Sequence, residues 1–69
     1  MKKLFNSDYV IYDREKDEVI RWALGKDIII FGDKEEALED CRGSEEVIPC
    51  TELPEYYQTE LLKQINNDN

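Results

Sequence analysis

Tyr9-Val10-Ile11-Tyr12-Asp13-Arg14-Glu15-Lys16-Asp17-Glu18-Val19-Ile20-Arg21-Trp22 is two apolar runs held apart by six consecutive charges. β-branched and aromatic residues dominate both runs, which is strand composition. The charged hexad is suited only to a solvated loop, so the stretch reads as an antiparallel hairpin. Arg21 is expected to face water, which would turn Ile20 and Trp22 inward. In the first run both alternations are apolar: Tyr9 with Ile11, and Val10 with Tyr12. The inward set of that strand is therefore open from sequence.

Outward from the hairpin, Leu24-Gly25-Lys26-Asp27 reads as a turn, with Gly25 as a position of positive φ. Ile28-Ile29-Ile30-Phe31 is a continuous apolar run. It suggests a central strand covered on both faces, or a strand with one face at an interface. Gly32-Asp33 then opens a helix, Asp33 as N-cap and Glu36 three residues on in a capping-box-like pair. The helix is expected over 34–42, with Gly43 as its C′ residue and Ala37, Leu38 and Cys41 on one buried face. Val47-Ile48-Pro49-Cys50 is a short strand, and Pro49 confines it to a sheet edge or a strand end. Thr51 and Pro54 announce a second helix. Leu53, Tyr57, Leu61 and Ile65 form its buried stripe at i+4 steps, flanked by Tyr56 and Leu62.

The order is β-β-β-α-β-α. The fold class is α+β, one small domain over residues 1–69, with 1–7 and 66–69 frayed. A three- to four-stranded antiparallel sheet is expected, with both helices on one face. The segment from Gly32 to Glu46 is long enough for a crossover, so a mixed sheet with a parallel last strand is the alternative.

A chain of 69 residues has a core too small to enclose a pocket of roughly 300 Å³ or more, except at an edge or between subunits. It has no histidine, no Cys-x-x-Cys, no phosphate-binding glycine loop and no His-Glu-x-x-His. Asp13, Glu15, Asp17 and Glu18 alternate as calcium ligands do. Arg14 and Lys16 interrupt them, however, and the loop lacks the glycine that a calcium loop needs. Cys41 and Cys50 read as ordinary thiols without a basic array to activate them. The expectation is a protein with no catalytic residue, no cofactor and no metal. No secretory pattern opens the chain, and no apolar run is longer than 28–31. A cytoplasmic protein with reduced thiols is expected.

The charge is lopsided. Residues 1–32 carry six acids and six bases, whereas 33–69 carry eleven acids and three bases, so the second half holds the whole net charge of −8. Residues 33–46 alone hold seven acids against Lys34 and Arg42, a net of −5. Direct nucleic-acid binding and anionic membranes are disfavoured, because both call for clustered Lys and Arg. Basic protein surfaces are the favoured partners. On a helical wheel Glu35, Glu36, Glu39 and Asp40 share the sector opposite Ala37, Leu38 and Cys41. Most of that is the solvated face any amphipathic helix shows. Glu39 and Asp40 are different. They lie in the last turn, where the helix dipole disfavours anions, and they form like-charge i,i+4 pairs with Glu35 and Glu36.

Two expectations follow. In the first, the chain is a non-enzymatic interaction or accessory module that docks a basic partner through Glu35, Glu36, Glu39, Asp40, Glu45 and Glu46. Its extreme form is a nucleic-acid-mimic inhibitor of the kind phage and mobile elements encode. In the second, the chain is a homo-oligomeric structural protein. It buries an apolar sheet face containing Tyr9, Tyr12 and Trp22, and the charge serves solubility.

Overall fold

The computed structural model describes residues 3–67. Among the described residues the order is β1 (Tyr9–Asp13), β2 (Glu18–Val19), α1 (Lys34–Asp40), β3 (Glu45–Pro49), a 3-10 turn (Cys50–Glu52) and α2 (Glu55–Asn66). The strands form one antiparallel sheet in the order β2-β1-β3. This is the small α+β fold read from the sequence. The charged loop spans 14–17, as its composition requires. The strand after α1 is antiparallel, not parallel, to its neighbour.

The apolar run at 28–31 does not become the central strand; β1 does. Residues 28–31 make only isolated bridges, Arg21 with Ile28 and Tyr9 with Phe31. Phe31 exchanges both backbone hydrogen bonds with Tyr9, at 2.7 and 2.8 Å. The run thus takes over beside β1 where β2 diverges from it. Gly25 does not adopt positive φ, a conformation found instead at Asp17 (φ 53) and Gly43 (φ 56). Gly43 sits in the tight turn after α1, where Glu45 N–H reaches Arg42 O at 3.0 Å. The helix ends at Asp40, because Cys41 leaves it in an extended conformation. Asp33 caps its start, accepting the Glu35 N–H at 2.9 Å.

β1 is buried from Val10 to Asp13, so both of its faces are covered. Val10 and Tyr12 join Val19, Ile28, Ile48, Cys50, Leu53 and Leu61 in one cluster, with Leu4 and Tyr57 packed against it. That is the α2 side. Ile11 alternates to the other side. It is fully buried but stands outside the cluster, as does Ala37, the buried residue of α1. The helix α1 lies against β1 and β3. The strand alternation thus separates the helices, α2 over Val10 and Tyr12 and α1 over Ile11, instead of placing both on one face. Each is amphipathic, and a strand apolar on both sides offers each a separate surface. Burying Ala37 and Ile11 together with the eight-residue cluster supplies most of the hydrophobic stabilisation, at about 25 cal/mol per Å².

Arg21 is exposed, as its alternation suggested, but it is held in place. Its guanidinium pairs with Glu60 on α2, with Nη2 to Oε1 at 3.1 Å, and also donates to Lys26 O at 2.7 Å. The α2 side is roofed, and Glu60 supplies the counter-charge. Trp22, on the opposite alternation, is 60% exposed instead of inward. Leu38 is also outward, at 51% exposed. In a helix this short only Ala37 is buried.

Both sheet edges are partly blocked at the backbone. On β3, Pro49 has no N–H to offer, and the Glu45 N–H is already engaged. On the other edge the Gln64 side chain bonds both backbone groups of Ile28. The expected fraying of 1–7 and 66–69 falls partly on residues 1, 2, 68 and 69, which lie outside the described residues. Within the described part, Leu4 packs on the core and Phe5 O accepts from Cys50 Sγ at 3.1 Å.

Candidate functional site

The acidic residues singled out from sequence divide into two groups. Glu35, Glu36, Glu39 and Asp40 all lie exposed on α1. None of these four forms an ion pair among the described residues, where the pairs are Arg14 with Glu46 and Arg21 with Glu60. Helix α1 has no base in its last turn, so nothing on the helix offsets the charge that its dipole disfavours there. Leu38 is also exposed on α1, beside the sector of these carboxylates.

Glu45 and Glu46 are half-buried on β3 and already engaged. Glu45 Oε1 accepts the Arg42 N–H at 2.8 Å and so braces the turn into the strand. Glu46 stands opposite Tyr12 in the ladder, and thus on the α2 side. Arg14 Nε meets it at 2.8 Å and lies over the Tyr12 ring. Glu46 is therefore both neutralised and turned away from α1.

The alternative set, Tyr9, Tyr12 and Trp22, also divides. Tyr12 is buried on the α2 side, its ring edge-on to Tyr57 at 6.0 Å between centroids. Tyr9 is half-buried and lies on the α1 side with Ile11. The pairings extend that assignment. Phe31 stands opposite Tyr9, and Ile20 N–H bonds Ile11 O at 3.0 Å. Arg21 and Ile28 face α2, so their neighbours Ile20, Trp22 and Ile29 face the other way. Tyr9, Ile20, Ile29 and Phe31 are each half-buried, and Trp22 is exposed. Helix α1 roofs β1 and β3, so this apolar strip borders it on the same side of the sheet.

One cluster was not foreseen. Asp17, in left-handed conformation, gathers three phenols. Its carboxylate accepts from Tyr12 and Tyr56, and its backbone carbonyl accepts from Tyr57 at 2.6 Å. The hydrogen bonds from Tyr12, then Tyr56, hold the Asp17 carboxyl below the usual aspartate value. Asp13 is similarly depressed, first by the Ser44 hydroxyl at 2.8 Å and then by the Lys16 and Glu15 amides, against an opposing push from burial. These contacts tie the hairpin turn to α2 and to the turn before β3. The sequence signal was the acid-rich loop itself, but its partners on α2 lie 39 and 40 residues away.

Cys41 and Cys50 are free. Burial raises both thiol pKa values, with Glu45 and Glu46 adding to the rise at Cys41, so neither thiol is activated. A groove of 410 Å³ is lined by Thr59, Leu62, Lys63, Asn66 and Asn67, one side of a single helix and its end. Among the described residues no group of carboxylates or thiols is arranged to hold a metal, and no helix is long and apolar enough to cross a membrane. No protein-family model, curated protein or solved structure matches this chain.

Proposed function

We propose that this chain is a non-enzymatic interaction module that docks a basic protein surface through the exposed face of α1. The observation that carries the reading is the set Glu35, Glu36, Glu39 and Asp40. These are four exposed carboxylates without a cationic partner among the described residues. Carboxylates stacked at i,i+4 cost a helix roughly 0.2–0.5 kcal/mol per pair. The helix gains nothing from Glu39 and Asp40 in its last turn, whereas a basic partner does. Glu45 and Glu46 leave the contact set, because their carboxylates serve the fold. A nucleic-acid-mimic inhibitor is the narrower version, in which the same carboxylates stand where a partner expects phosphates.

The test is a lysine-rich peptide titrated calorimetrically into the wild-type chain and into Glu36→Lys/Glu39→Lys/Asp40→Lys, at low and high salt. All three positions are exposed, so the variant keeps its core. The expected outcome is salt-sensitive binding by the wild type that the triple variant loses. Equal binding by both chains would refute the reading.

A further inference from the structure

We infer that the apolar strip beside α1, formed by Tyr9, Ile20, Trp22, Ile29 and Phe31, seats the apolar side of a basic amphipathic segment from another protein. This deepens the reading above and rests on it: α1 supplies the counter-charge and the strip supplies the buried contact.

The geometry follows from the width of one helix. A helix is about 10 Å across and covers about two strands spaced roughly 4.8 Å apart. Helix α1 takes β1 and β3. Its seven residues span only about 10 Å along its axis at 1.5 Å each. The ribbon formed by 20–22 and 27–31 lies beyond it, and its side chains on this face are half-buried at best. Trp22 is 60% exposed on a backbone fixed by its own N–H to Asp27 O at 3.1 Å. A large aromatic on an ordered backbone loses little entropy on contact, which is why tryptophan is frequent at binding hot spots.

Charge decides the occupant. A second copy would bring its own −8 to a face edged by the carboxylates of α1, and a two-fold contact would set acid near acid. A segment with apolar residues on one side and Lys or Arg on the other satisfies both parts at once. The chain Phe31-Gly32-Asp33 runs straight from the strip into α1, so the apolar and acidic parts are contiguous.

The probe is a helix-forming peptide of Leu and Lys, about 18 residues or five turns long. Trp22 is the single tryptophan, so its emission reports directly on the strip. A saturable blue shift is expected. Backbone amide shifts should be confined to Tyr9, Ile20–Trp22, Ile29–Phe31 and α1. A Lys/Ser peptide of equal charge should bind about tenfold more weakly, about 1.4 kcal/mol. Trp22→Ser, at an exposed position, should weaken the Leu/Lys peptide similarly by calorimetry. Equal affinity for the two peptides, or no effect of Trp22→Ser, overturns the inference. If α1 charge reversal still abolishes binding in that case, the acidic-face reading survives alone. If charge reversal has no effect, both fall. A wild-type dimer in sedimentation that Trp22→Ser dissociates would place a second copy on the strip and also overturn the inference.

Discussion

Replacing Gln64 with alanine should destabilise this domain more than any other single polar change on α2. The Gln64 amide acts as a piece of missing strand. Its Oε1 accepts the Ile28 N–H at 2.9 Å, and its Nε2 donates to the Ile28 carbonyl at 3.0 Å. The bridge between Arg21 and Ile28 uses the flanking groups, Trp22 N–H to Asp27 O and Ile29 N–H to Ile20 O. Both groups of Ile28 therefore point away from the sheet, and Ile28 is only 1% exposed. A stranded buried donor or acceptor costs about 1–3 kcal/mol, against a net gain of about 1 for a typical bond. Losing both should cost about 2–4 kcal/mol, less a few tenths for alanine's better helix propensity. A 69-residue domain has a total stability of about 3–10 kcal/mol at 0.05–0.15 kcal/mol per residue. The urea midpoint should fall by about 2–4 M, with a slope near 1 kcal/mol per M. In the wild type the Ile28 amide should exchange its proton slowly. The Ile30 amide should exchange quickly, because it has no hydrogen-bond partner among the described residues. A midpoint shift below about 0.5 M, or equal exchange at Ile28 and Ile30, would refute the edge-sealing role.

Acid should loosen the hairpin turn. Asp13, Asp17 and Glu60 have folded pKa values lowered below their usual 3.8, 3.8 and 4.5 by the hydrogen bonds they accept. Their stabilisation is therefore complete above those usual values and is lost as pH falls through the lower folded ones. Urea midpoints should be level from neutral pH to about pH 5 and then drop, with a shallower drop in Asp17→Asn; a midpoint that rises on acidification contradicts this. Glu39→Lys with Asp40→Lys should stabilise the chain by about 0.5–1 kcal/mol, by removing two like-charge pairs and placing cations at the helix C-terminus. Thermal melting at low salt checks this, and a lower melting temperature would count against it. Gly43→Ala should cost about 1–2 kcal/mol through φ alone, because no atom lies within 4 Å of the added Cβ. Chemical denaturation of that variant tests the point, and an unchanged midpoint would mean that the turn tolerates a side chain.

The hairpin, the edge position of Val47–Pro49 and the Asp33 cap were legible because each depends on neighbours a few residues away. Of the stripe expected on the second helix, Leu61 is buried, Tyr57 and Ile65 are half-buried, and buried Leu53 precedes the helix. The identity of the central strand was not legible. Ile28–Phe31 is the most apolar run, yet centrality is a property of pairing partners, and β1 has them on both sides. Its ambiguous alternation was in fact the sign of this, since a strand apolar on both faces is one that two layers can cover. Arg21 is exposed, as the alternation suggested, but its ion pair was not legible, because Glu60 is 39 residues distant. A similar distance hid two of the three phenols that converge on Asp17, Tyr56 and Tyr57. The acidic candidates on α1 were legible from wheel geometry, whereas the engagement of Glu45 and Glu46 depended on the turn and ladder they join.

The two sequence readings, acidic helix and open apolar face, competed only while both helices were assigned to one side. Once β1 separates them, Tyr9 and Trp22 fall on the α1 side and Tyr12 leaves the set, so one surface carries both features. The two features should then contribute to different steps of binding. Exposed charges act at long range and raise the encounter rate, an effect that salt screens within about 10 Å at 0.1 M. Apolar contact forms only after docking and sets the lifetime of the complex. With the Leu/Lys peptide, Glu36→Lys/Glu39→Lys/Asp40→Lys should therefore lower the association rate and flatten its salt dependence. Trp22→Ser should leave association nearly unchanged and speed dissociation by about tenfold, the equivalent of about 1.4 kcal/mol. Stopped-flow mixing that monitors the peptide separates the two rates. If both variants changed only dissociation, the charges would be acting as docked contacts, and α1 would have no steering role.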